Sequence, residues 1–101
     1  MTERLYDADS YLAEFECKVA NLYNDEDYVY IETDRTAFFP EGGGQTSDRG
    51  FINGAYVENV QIVDGKILHF VKRSDENVNN LQIGMSACGK IDMKKRFSDM
   101  Q

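Results

Sequence analysis

Two turn dipeptides, Asn53-Gly54 and Asp64-Gly65, constrain this chain more than any other feature. A two-residue hairpin loop needs positive φ at its central positions, which Asn, Asp and Gly adopt at little cost, so each dipeptide predicts a tight reversal between two strands. Phe51-Ile52 leads into the first turn, Ala55 to Val63 reads as the strand between the turns, and Lys66 to Val71 as the strand after them. Two hairpins in succession make a meander, which commits this region to an antiparallel sheet.

The flanking chain keeps the same period. Phe15, Cys17 and Val19 alternate with Glu14, Glu16 and Lys18. After the polar turn Asn24-Asp25-Glu26-Asp27, the segment Tyr28 to Thr33 places Val29, Ile31 and Thr33 on one face. Ile83, Met85, Ala87, Ile91 and Met93 take every second position apart from Gly89, which predicts a last strand over 83–93. Asp7-Ala8-Asp9-Ser10 reads as a turn between Leu5-Tyr6 and Tyr11-Leu12, and the asparagine-rich stretch Ser74 to Gln82 as a solvated loop. At the far end Asp92 is a candidate N-cap, with Met93, Phe97 and Met100 at helical spacing for barely two turns. The prediction is an all-β, mainly antiparallel fold: a small closed or partly closed β-barrel over residues 1–92, with the start of a C-terminal helix at 93–101. Closure removes the exposed strand edges that such short strands would leave.

Charge and ligand types exclude several functions. The 101 residues hold 18 Asp and Glu against 11 Lys and Arg, a net charge of −7. Free-standing affinity for a phosphate backbone works by counterion release through basic side chains, so strong RNA binding by this chain alone is not expected. Cys17 and Cys88 stand far apart with one histidine, His69, so the usual ligand rules assemble no metal site, and two buried thiols are expected rather than a disulfide. The first residues lack the apolar run of a signal peptide, and no stretch approaches membrane-spanning length, which predicts a soluble cytoplasmic domain without membrane contact.

Packing does not explain the stretch Thr36 to Gly50. It holds the only proline, Pro40, and three consecutive glycines, Gly42, Gly43 and Gly44, which can take positive φ and admit a close backbone or ligand. Gly43-Gly44-Gln45 is also the tripeptide that peptide release factors use to place water at a tRNA ester, but here acidic Glu41 and Asp48 flank it where an RNA-inserting loop needs basic residues. Glu41 and Asp48 read as hydrogen-bonding struts for the loop's amides, with an acid–base pair as the other reading. No catalytic residue is assigned.

His69 falls in phase with Ile67 and Val71 and reads as a packed structural residue. Tyr6, Tyr11, Tyr28, Tyr30 and Tyr56 look scattered over separate elements, without the interleaved cations of a base-stacking platform. Lys94, Lys95 and Arg96 sit in the first turn of the terminal helix, where the helix dipole disfavours cations; they read as surface charge or as contacts to something anionic.

Thr36-Ala37-Phe38-Phe39-Pro40-Glu41-Gly42-Gly43-Gly44-Gln45 followed by Asp48-Arg49-Gly50 resembles the glycine-rich motif of the alanyl-tRNA editing proteins, free-standing relatives of the editing domain of alanyl-tRNA synthetase. The likeness extends over nearly the whole chain: Leu5-Tyr6 to Phe15 resembles the family's opening segment, His69 a histidine of its later barrel strand, and Ile91-Asp92 to Met100-Gln101 its lead-in to the catalytic domain. Phe39 departs from it, since tyrosine is usual there and its hydroxyl is lost.

The resemblance implies a barrel like the second domain of translation elongation factors. It also implies a following domain whose zinc, held by an HxxxH pair and a later Cys/His pair, serves hydrolysis of tRNA-Ala mischarged with serine or glycine. The first of those histidines would come just after Gln101. On this expectation the chain is a non-catalytic piece without a cofactor of its own. The loop Pro40 to Gln45 would help shape the cleft of its own C-terminal editing domain, Lys94, Lys95 and Arg96 would lie near tRNA phosphate, and the exposed end would allow a homodimer. The alternatives are the barrel domain of an alanyl-tRNA synthetase, a ligase, and a stand-alone protein-docking module.

Overall fold

The structure, a computed structural model, describes residues 3–5, 13–42 and 47–92. Its strands are β1 (Glu3–Arg4), β2 (Glu14–Asn24), β3 (Tyr28–Thr33), β4 (Arg35–Thr36), β5 (Gly50–Ile52), β6 (Ala55–Val63), β7 (Lys66–Lys72) and β8 (Ser86–Ile91). Six of them close into a barrel in the order β2-β3-β7-β6-β5-β8, with β2 pairing antiparallel to both β3 and β8. β1 and β4 form a separate parallel pair. The expected all-β barrel is therefore fully closed. No helix among the described residues is long and apolar enough to cross a membrane.

The two hairpin dipeptides act as their chemistry requires. Asn53, Gly54, Asp64 and Gly65 all have positive φ, at 50°, 85°, 53° and 78°. With both central residues left-handed, each turn follows the right-handed twist of its strands. The alternating residues then point inward: Phe15, Cys17 and Val19 from β2, Ile31 and Thr33 from β3, Val57 and Val60 from β6, and Ile67, His69 and Val71 from β7 are buried.

Three expectations need correction. The last strand does not begin at Ile83, because Met85 N–H closes a turn onto the Gln82 carbonyl at 3.2 Å with Gly84 at φ 90°. That is the type II arrangement, which needs glycine third, and it leaves Ile83 62% exposed. The solvated loop contains a 3-10 helix, Glu76–Asn80, N-capped by Asp75, which buries Val78 and is followed by buried Leu81. Its Asn77 Nδ2 donates to the Gly54 carbonyl at 3.0 Å, so this polar segment plugs the barrel end at the first hairpin turn. Cys17 is buried as expected, but Cys88 is half-buried on the outer face. The turn read at 7–10 and the helix read at 93–101 lie outside the described residues.

A loop clamped over an open strand edge

β5 covers little of its neighbour. It pairs with β6 only from Ala55 to Val57, so the rest of β6 would present bare backbone groups on that side. The chain between β4 and β5 covers them at Val60. Glu41 N–H donates to the Val60 carbonyl at 2.7 Å, and Val60 N–H donates to Ser47 Oγ at 2.9 Å. Ser47 Oγ in turn donates to Asn59 Oδ1 at 2.8 Å, from the position where β6 bulges against β7.

The same loop is tied at its neck. Phe39 N–H donates to Asp48 Oδ2 at 2.8 Å while Asp48 N–H donates to the Phe39 carbonyl at 3.1 Å. Asp48 is 4% exposed, so this two-bond clamp works where water competes little. Thr36, Ala37 and Phe38 immediately upstream are fully buried. The Phe38 ring stands edge-on to Phe15 at 5.8 Å and to His69 at 5.2 Å, anchoring the loop in the barrel core.

Among the residues predicted from sequence, Pro40, Glu41, Gly42, Asp48 and Gly50 are described. Gly43, Gly44 and Gln45, like Lys94, Lys95 and Arg96, lie outside the described residues. Glu41 and Asp48 serve different partners: Glu41 Oε2 accepts from Gln61 Nε2 at 3.0 Å, on β6, while Asp48 turns back to Phe39. Gly50 starts β5 opposite Ile91, and a Cβ there would stand 1.9 Å from the Lys90 carbonyl oxygen, so close backbone approach explains this glycine. Gly42 differs. It is exposed, its φ is not positive, and among the described residues a Cβ on it would meet nothing within 4 Å.

Sequence reasoning passed over Thr36, Ser47, Asn59 and Gln61, which fasten the loop. The hydroxyls of Thr36 and Ser47 bracketing the glycines were the visible signal. Asn59 and Gln61 gave none, because their roles depend on the bulge and on strand order. The tyrosines are less scattered than expected: Tyr28, Tyr30 and Phe70 cluster with centroids 4.7 to 6.2 Å apart, and Tyr56 lies 5.4 Å from Phe51. The Tyr28 hydroxyl donates to Glu58 and that of Tyr30 to Asp25, and these bonds raise both phenols, Tyr30 to about 12. The cluster thus carries carboxylates at its rim.

The chemistry within reach is limited. His69 is fully buried, and burial pushes its pKa down to about 4 against a smaller opposing effect of its bond to the Ile31 carbonyl. Burial, with a smaller contribution from Asp34, raises Cys17 to about 12, which keeps its thiol protonated and inert. Among the described residues no group of three or more His, Cys, Asp or Glu side chains could hold a metal ion. Those residues do not fit a zinc centre. β8 ends beside the loop, where Asp92 N–H donates to the Arg49 carbonyl at 2.7 Å.

Comparison with known proteins gives this scaffold its kin. Alanine–tRNA ligase from Pyrococcus abyssi is 40% identical over 104 residues, covering 99% of this chain and 10% of the ligase. Alanyl-tRNA editing protein AlaX-L from Pyrococcus horikoshii is 41% identical over 105 residues, covering 100% of this chain and 25% of that protein. AlaX-M from Saccharolobus solfataricus is 35% identical over 107 residues, covering 100% of this chain and 42% of that protein. The chain thus spans less than half the length of these curated relatives. Residues 10–95 match the model of the class II (A) tRNA synthetases, and the chain belongs to that family.

Proposed function

We propose that this barrel is the non-catalytic module of an alanyl-tRNA editing protein acting in the cytoplasm on tRNA-Ala mischarged with serine or glycine. Its glycine loop, residues 40–45, shapes the cleft of a zinc-holding editing domain that follows residue 101. Gly42 carries this reading. Among the described residues nothing in the packing around Gly42 or in its backbone angles requires glycine there, yet the flanking loop is fastened on both sides, as a surface presented to another body needs to be. The end of β8 beside the loop, with Asp92 bonded to Arg49, supports the same arrangement. On the same reading Lys94, Lys95 and Arg96 are the contacts to tRNA phosphate, and without the following domain the partner is a second copy of the chain.

Gly42→Val in the longer protein tests the assignment. Stability is expected to change by less than about 0.5 kcal/mol, as for a surface substitution, while deacylation of Ser-tRNA-Ala falls. Unchanged deacylation would count against a cleft-shaping loop. Zinc-dependent deacylation by the 101 residues alone would overturn the non-catalytic role. The nearly equal identities to an editing protein and to a ligase, 41% and 40%, support a second reading as the corresponding domain of an alanine–tRNA ligase. Alanylation of tRNA-Ala by the full-length protein would favour that reading.

A further inference from the structure

His69 has no part in the strand edge or the loop neck, yet its hydrogen bonds reach both the barrel wall and the loop. Its Nδ1 lies 2.7 Å from the Ile31 carbonyl oxygen. A carbonyl only accepts, so Nδ1 carries the proton. In the neutral ring Nε2 is then an acceptor, and its partner at 2.8 Å is Thr36 Oγ1. The Thr36 hydroxyl must spend its single proton on Nε2, which leaves its lone pairs for a donor, and Phe38 N–H supplies one at 3.1 Å. Every donor direction follows from the first bond. Ile31, Thr36, Phe38 and His69 are all at most 1% exposed, so water cannot substitute for a missing partner.

We propose that His69 is a positioning residue for the glycine loop: by fixing the direction of the Thr36 hydroxyl, it holds the Phe38 amide and so the backbone on which the Phe39–Asp48 clamp is built. Two successive amides are thereby held by different parts of the fold, Phe38 from the core and Phe39 from the far foot of the loop. A histidine serving only as packing would need neither the tautomer nor the hydroxyl. The consequence for a substrate cleft rests on the editing reading, but the relay itself is a property of this chain and is measured without any activity.

Amide hydrogen exchange on the ¹⁵N-labelled chain separates the relay from packing. Asn can replace the Nδ1 donor but offers Thr36 no acceptor, whereas Gln can place an acceptor at the Nε2 position. His69→Asn and Thr36→Val are expected to speed exchange of the Phe38 and Phe39 amides, relative to the Val71 amide of β7, by about tenfold, the loss of one buried hydrogen bond. His69→Gln and Thr36→Ser are expected to stay within about threefold of the parent, well short of that loss. If His69→Asn does not fold, Thr36→Val, which keeps the shape of the side chain, carries the test. Unchanged Phe38 exchange in Thr36→Val, equal effects of Asn and Gln at 69, or imidazole ¹⁵N shifts showing the Nε2-protonated tautomer would each overturn the proposal.

Discussion

At His69 burial has a consequence that can be measured across the acid range. Its pKa is near 4 in the fold, against about 6.5 for an exposed histidine. The unfolded chain therefore takes up a proton between these values and the folded chain does not. Stability linked to the neutral ring is fully present above pH 6.5 and is lost as pH falls toward 4, with a slope approaching about 1.4 kcal/mol per pH unit and a total on the order of 3 kcal/mol. Urea unfolding between pH 6.5 and 5 should show this slope in the parent and lose it in His69→Gln; an equal slope in both would contradict it. The inward phase of His69 was legible from Ile67 and Val71. Its partners were not, since Ile31 and Thr36 reach it only after β3, β4 and β7 come together.

Among the elements, β8 shows where periodicity misleads. Gly89 breaks the apolar alternation, yet it faces inward with Ala87 and Ile91 because the Phe15 ring fills the space a side chain would need. A Cβ at 89 would lie 2.4 Å from that ring, so Gly89→Ala is expected to push Phe15 aside, and with it Phe38, which meets it edge-on, at a cost of about 1–3 kcal/mol. Thermal or urea denaturation would measure this, and a neutral effect would mean that Phe15 has other room. The 3-10 helix over Glu76–Asn80 shows the converse. Its polar composition hid a plug, because two buried apolar residues, Val78 and Leu81, suffice to seal a barrel end while their neighbours face water.

At the scale of the molecule, closure is the costly step. The meander β5-β6-β7 forms from neighbours in sequence, but the barrel closes only when β2 pairs with β8, as in Glu14↔Lys90 and Phe15↔Gly89. Such non-local pairing must overcome loop-closure entropy before it is rewarded, so the folding limb of a stopped-flow chevron should fall in the millisecond-to-second range. Submillisecond folding would place closure elsewhere.

The strands with clean alternation, the two hairpin turns and the presence of an unusual glycine loop are legible in the amino-acid order alone. Those features rest on local backbone preference and on a period of two, which the chain carries wherever it goes. What the loop lies on, that Asp48 closes its neck, that crowding requires Gly50 and Gly89 while no described residue crowds Gly42, and that His69 reaches Thr36 all emerge only once the barrel is assembled. The physical reason is common to all four. Each depends on which strand stands beside which, and that order is set by burying one shared core rather than by any residue's neighbours in sequence.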